Sequence, residues 1–193
     1  MYINTRHQLS PLLILVVFAG CEWDYPLSQP EDAVAEAKLF GVWKLDASYD
    51  YSDASKFTKT TPASDELSIL KIMKAPEENI FILGFTELHK PQLPSDKRRT
   101  HYAWVTKIGD IRYLNVGSSD LQKPAGGEKN RAFSVVKYEL SDNKLRMYGL
   151  NRDARTRISS FVGDFYDAAT IRQQLTAGEN GDWQIAFEFT RMR

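Results

Sequence analysis

The side chains able to hold a metal or move a proton are few. Histidine occurs three times, at His7, His89 and His101, and cysteine once, at Cys21. A zinc site needs three or four His, Cys or carboxylate ligands at recognisable spacings. His89 and His101 stand twelve residues apart across a loop–strand junction, which fits none of them, so no metal is expected. An enzyme would set one of these histidines in a cleft beside an acid. A nucleophilic serine favours a sharp G-x-S-x-G turn; Gly117-Ser118-Ser119-Asp120 lacks the second glycine and reads as a loop. Glu77-Glu78 reads as a solvated turn, and no glycine-rich phosphate loop is present. Neither catalysis nor a cofactor is expected. Two basic clusters, Lys97-Arg98-Arg99 and Arg152, Arg155 and Arg157, suit anionic head groups or carboxylates. Short charge runs are more often solvated surface.

Cys21 is different because of what precedes it. Residues 12–18 form an unbroken apolar run, LLILVVF. A bilayer span needs about 20 apolar residues, so the run has the length of a signal-peptide core instead. Arg6 and His7 lie before it, no acid does, and Ala19 and Gly20 follow. Phe18-Ala19-Gly20-Cys21 resembles the lipobox of bacterial lipoproteins. That resemblance implies removal of residues 1–20, lipidation of Cys21 through its sulfur, and acylation, palmitate for example, of the new N-terminus. Two or more long chains anchor stably where one does not. The membrane is then a partner, and Glu22 in the position after the cysteine leans towards the outer membrane, facing the periplasm.

Removing residues 1–20 takes away Arg6 and no acid, leaving 24 basic residues against 25 acidic ones. Near-neutrality argues against nucleic acid, which asks for a basic footprint. The remaining chain is long enough for one domain that needs no disulfide, and with a single cysteine it can form none. The expected organisation is a signal peptide over 1–20, a lipid-anchored tether and short helix over 21–38, and a β domain over 39–193.

Pro26 and Pro30 keep residues 22–30 extended. Residues 31–38, Ala-rich between Pro30 and Gly41, predict a short helix dependent on docking. Strands follow wherever apolar and polar residues alternate. In the first, Trp43, Leu45, Ala47, Tyr49 and Tyr51 share a face, and residues 52–65 read as a polar loop. Residues 66–74 and 80–88 come next, with Phe81, Leu83 and Phe85 on one face of the latter. Residues 99–108 group Tyr102, Trp104 and Ile108, and Gly109-Asp110 joins them to 111–116 as a hairpin. A loop over 117–130 precedes a second hairpin, 132–140 with 145–150. Residues 152–165 resist assignment. Asp167 and Gly178 bracket a second short helix over 168–177. The last strand alternates Trp183, Ile185, Phe187 and Phe189 and is expected to pair with the first.

These elements predict a mainly β fold: an antiparallel seven- to eight-stranded barrel with a short N-terminal helix and a short helix before the last strand. Gly41-Val42-Trp43, after the first short helix and opening the first strand, resembles the start of lipocalin and fatty-acid-binding-protein barrels. The resemblance implies a lipocalin-like barrel whose Trp43 plugs one end beneath an arginine of the last strand, either Arg191 or Arg193. Taken with the anchor, the aromatic-rich inward pattern leads to a lipid-anchored envelope protein acting as a binding or accessory module as the expected role. A small apolar or amphipathic ligand would lie among Trp43, Tyr49, Tyr102, Trp104 and Trp183. The alternative is an envelope assembly factor that meets another protein and holds no small molecule.

Overall fold

A computed structural model describes residues 22–23, 26–53, 56–62, 68–77, 79–87, 100–117, 133–151, 153–154, 169, 172–173, 175 and 182–193. Ten strands follow in chain order: β1 (Glu22–Trp23), β2 (Gly41–Asp53), β3 (Lys56–Thr60), β4 (Ser68–Lys74), β5 (Ile80–Glu87), β6 (Thr100–Ile108), β7 (Ile111–Gly117), β8 (Phe133–Leu140), β9 (Lys144–Leu150) and β10 (Trp183–Arg191). Each from β4 to β9 pairs antiparallel with the next, β10 joins β9 to β2, and β2 joins β4. Eight strands thus close into a barrel, and closure removes the two long edges an open sheet of these strands would present. Of the two remaining strands, β3 pairs with β2 above β4, and β1 pairs with β8.

The two ends differ. At one, β4–β5, β6–β7 and β8–β9 are joined by the short turns 75–79, 109–110 and 141–143. Gly109 takes φ 59°, the left-handed conformation that a two-residue hairpin turn demands. At the other end the connections 61–67, 88–99, 118–132 and 151–182 are long.

Inside the barrel, Trp43, Leu45, Ile72, Phe81, Ala103, Val105, Leu114, Tyr138, Leu145, Met147, Phe187 and Phe189 make one core. A second core lies on the outer side of the wall, where Tyr113, Val135 and Leu150 meet Leu27, Ala154 and Leu175. Much of both faces of β6 and β7 is therefore buried, as Ala103, Trp104, Val105, Thr106, Tyr113, Leu114, Asn115 and Val116 show.

Several elements differ from expectation. Residues 31–38 are no helix. Two single 3-10 turns, Pro30–Asp32 and Ala37–Leu39, flank an extended stretch. A two-turn helix is marginal by itself, and here the barrel outbids it: the Val34 amide donates to the Val105 carbonyl at 2.9 Å, and Glu36 pairs with Arg112 at 3.0 Å. Residues 22–30 are no free tether, because β1 joins the sheet and Pro26, Leu27 and Ser28 are buried. The polar loop over 52–65 instead contains the end of β2 and all of β3. The helix over 168–177 falls mostly outside the described residues. Ala169, Arg172, Gln173 and Leu175 have helical backbone, but no continuous helix is defined. The signal peptide, Cys21, His89, Lys97, Arg98, Arg99, Arg152, Arg155, Arg157 and the loop over 118–130 also lie outside the described residues.

Candidate functional site

Cross-strand partners share a face of the sheet, so register tells which side chains enter the barrel. At the short-turn end the interior is sealed. The Trp43 indole N–H donates to the Leu39 carbonyl at 2.9 Å, and the Arg191 guanidinium lies over the indole, 4.2 Å from the ring centre. Arg191 Nη1 donates to the Phe40 carbonyl at 2.8 Å and Nη2 to that of Lys38. Gly41 passes so close, at φ 143°, that a Cβ there would sit 3.0 Å from Arg191 Nη1. Beside this plug, Arg112 shares the face of Tyr138 and holds Glu36 across the end of the barrel. Burial, and then the nearby Glu36 carboxylate, push the Tyr138 phenol well above its ordinary pKa.

Towards the long loops the inward positions turn polar. Around Trp43 the inward side chains are 0–3% exposed, but Leu70, Leu83, Val116 and Val136 retain 6–8%. The next inward positions are Ser48 beside Phe187, Ser134 beside Val116, His101 beside Leu83, and Gln184 beside Gly149, all half-buried. Ser68 and Phe85 share this face through Leu70. Hydroxyls, an imidazole and an amide thus lie beyond four aliphatic side chains that are themselves buried. The arrangement has the order of a cup: hydrogen-bonding rim, apolar floor, closed base. His101 Nδ1 lies 3.3 Å from the Gly117 carbonyl, which orients the imidazole at the rim. Asp50, two residues beyond Ser48, is the carboxylate nearest this face in β2.

The five aromatic residues expected around a ligand are not brought together. Trp43 faces inward, in the plug. Tyr49 faces outward, its hydroxyl donating to Glu188 Oε2 at 2.8 Å with the Lys59 ammonium 5.4 Å above its ring. The cause is a β-bulge: Glu188 pairs with Ala47 but Phe189 with Leu45, so Asp46 is an extra residue and the alternation of β2 reverses beyond it. A second bulge at Ala186 does the same to β10. Ile185 pairs with Tyr148, Phe187 with Met147; Trp183 and Ile185 stay outside while Phe187 and Phe189 go in. Trp183 packs on Tyr113 in the outer core, ring centres 5.6 Å apart. Tyr102 and Trp104 alternate with the interior residues Ala103 and Val105 and also face out. Trp104 is nevertheless only 2% exposed, because its indole N–H donates 2.9 Å to the Ser28 carbonyl in the N-terminal segment.

That segment is fastened by a buried polar cluster. Asn115, with no exposure, accepts the Leu27 amide at 2.8 Å and donates to the Trp104 carbonyl at 3.2 Å and to Thr106 Oγ1 at 2.8 Å. Ser28 Oγ closes the set, 2.5 Å from Thr106 Oγ1. Every group has a partner, so the cluster acts as a lock and offers nothing to a ligand.

The rim residues had a signal in the sequence. Ser68 precedes Leu70 and Ile72, and Ser134 precedes Val136 and Tyr138, each a small polar residue at an inward position near the long-loop end. Among the described residues, no three His, Cys, Asp or Glu side chains converge as a metal site would require, and no helix is long and apolar enough to cross a membrane.

Fold and site together define an eight-stranded antiparallel β-barrel plugged at one end and lined by polar inward side chains towards the other. No protein family, curated protein or solved structure matches the chain.

Proposed function

We propose that this chain is a lipid-anchored binding module of the cell envelope, held through Cys21 and sited at the periplasmic face of the outer membrane. Its ligand is a small amphiphile, taken head outward into the cup. The observation that carries this reading is a closed eight-stranded barrel sealed at one end by Trp43 and Arg191, with half-buried polar side chains, Ser48, His101, Ser134 and Gln184, facing inward towards the other. The rim offers hydroxyls at Ser48, Ser68 and Ser134, the amide of Gln184 and the imidazole of His101, so the head group is hydrogen-bonding. The plug limits depth, so the apolar part is short. In support, Trp43 and Arg191 adopt the arrangement that the lipocalin-like resemblance implies, and such barrels hold ligands at their open end.

The test is a titration of N-dansyl-decylamine, a neutral single-chain amphiphile, followed by energy transfer from the protein's tryptophans. Saturable binding is expected, and Ser134→Phe, which fills the cup, should weaken it by about tenfold or more, roughly 1.4 kcal/mol. Its denaturation midpoint should stay near that of the parent. Absence of saturable transfer, together with no small molecule retained in native mass spectra of the purified protein, sinks the reading.

A further inference from the structure

We propose that one sector of the barrel's outer wall rests on an anionic lipid surface. The sector is the outer face of the first part of β2 together with β4, β5 and the start of β6. The proposal goes beyond ligand binding and needs neither an occupied interior nor a lipid on Cys21.

Register assembles the sector. Met73 lies opposite Ile82, and Ile82 opposite Tyr102. In the next row Val42 lies opposite Lys71, Lys71 opposite Gly84, and Gly84 opposite Thr100. In the row beyond, Lys44 lies opposite Ile69, and Ile69 opposite Thr86. These positions alternate with the interior residues Trp43, Ile72 and Leu83, so they face outward. Met192 joins from the β10 side, its amide donating to the Val42 carbonyl at 2.8 Å.

Other parts of the wall are already matched. Over β6 to β8, Trp104, Tyr113 and Val135 are buried with Leu27 and Ser28 of the N-terminal segment. Over β8, β9, β10 and the rest of β2, acids meet donors. Glu139 accepts from Tyr148 at 2.6 Å, Glu188 from Arg146 at 3.1 Å and Asp46 from Lys144 at 2.8 Å. The remaining sector has neither kind of match. Val42, Ile69, Ile82 and Tyr102 belong to neither core and are half-buried, while Met73 and Met192 are 37% and 40% exposed. Among the described residues its strands place no acid on this face, and neither Lys44 nor Lys71 has an ion pair.

Charge and shape choose the occupant. Lysines without acids, set among apolar side chains, fit a partner that carries negative charge in front of an apolar layer. A second copy of the chain would bring more lysines and no acid to the contact. The outside of a closed barrel is convex and offers a peptide no groove, whereas a lipid surface deforms to meet it. Lysine stems lie along apolar surface while the ammonium stays among the phosphates. An amphipathic tyrosine ring suits the head-group level, and flexible methionines adapt to irregular packing.

The experiment uses the purified full-length protein with phosphatidylcholine vesicles, with and without phosphatidylglycerol. Brief acetylation reads the lysines and peroxide oxidation reads the methionines, each by peptide mass. With phosphatidylglycerol, Lys44, Lys71, Met73 and Met192 should react about threefold or more slower, since each lysine near an anionic surface favours the contact. Lys59 and Lys137, on the charge-matched part of the wall, should react at unchanged rates. Raising the salt should restore the rates in the sector. The double variant Lys44→Gln with Lys71→Gln should abolish the slowing at Met73 and Met192 without moving the denaturation midpoint. Equal slowing in neutral vesicles denies the surface its anionic character and overturns the proposal. So does slowing shared equally by Lys59 and Lys137, or no slowing anywhere. Slowing without lipid that grows with protein concentration makes the sector a contact between copies, and overturns it too.

Discussion

The guanidinium of Arg191 stacks on the indole of Trp43 at 4.2 Å, so the last strand of the barrel closes the first. The pair holds the two strand ends at the plugged end, and Nη1 and Nη2 reach back to the carbonyls of Phe40 and Lys38. Arg191→Ala removes the stack and both hydrogen bonds and should cost about 2–4 kcal/mol. Arg191→Lys keeps the charge but loses the planar fork, so it should fall between. Chemical denaturation measures both; equal midpoints for wild type and Arg191→Ala would deny the pair a structural role.

Gly41 tests the same contact from the other side. Alanine there is strained at φ 143° and pushes on Arg191 Nη1 at 3.0 Å. A loss of about 1–3 kcal/mol is expected in the parent. In an Arg191→Ala background the loss should shrink to the backbone part alone, which a double-mutant cycle resolves.

Asn115 should behave as the fastener of the N-terminal segment. Asn115→Leu strands the Leu27 amide and leaves the Thr106 hydroxyl with Ser28 alone, at a cost of about 2–3 kcal/mol. The separate signature is local: amide exchange at Leu27 should accelerate well beyond the change in global stability. If exchange at Leu27 tracks global unfolding in both proteins, the segment is held by something else.

Tyr138 carries a buried hydroxyl for which no hydrogen-bond partner is found among the described residues. Removing an unpaired buried polar group should help, so Tyr138→Phe is expected to be neutral or stabilising by up to about 1 kcal/mol. The phenol should not contribute to an alkaline absorbance titration until the protein unfolds. A loss above about 1 kcal/mol would reveal a partner.

On the outer wall, hydrogen bonds from Tyr49 and then Arg146 hold the Glu188 carboxyl below its ordinary pKa, against the opposing effect of burial. A depressed folded-state pKa adds stability above the unfolded value, near 4.5 for this group, and that stability is lost as pH falls through the folded value. Glu188→Gln should therefore cost up to about 1 kcal/mol at pH 7, as for a largely solvated network. The difference from wild type should disappear in acid below the carboxylate range. A constant difference across that range contradicts the assignment.

The seven to eight strands of the barrel, the two hairpins at 109–110 and 141–143, the pairing of last barrel strand with first and the shared face of Phe81, Leu83 and Phe85 were legible from alternation and turn residues; β1 and β3 were not. Those signals are local, and local steric rules set them. Facing was less legible. A run such as Trp183, Ile185, Phe187, Phe189 looks uniform in one dimension, yet a single extra residue at Ala186 turns half of it outward. Tyr49 changes face the same way after Asp46. Trp104 misleads for a different reason: its outer face is buried as deeply as its inner one, so an aromatic there carries no information about direction.

By itself the sequence determined a β chain that could close on itself, with an apolar run and Cys21 ahead of it and Trp43 opening the first long strand. Those features depend on residue type and short spacing. Tertiary structure alone decided that residues 33–36 would run extended between two 3-10 turns, that Arg191 and not Arg193 would cover Trp43, and that Ser48, Ser68, Ser134 and His101 would face inward near one end. Each of these depends on register around a closed sheet, where residues more than a hundred positions apart become neighbours, and no local pattern records that.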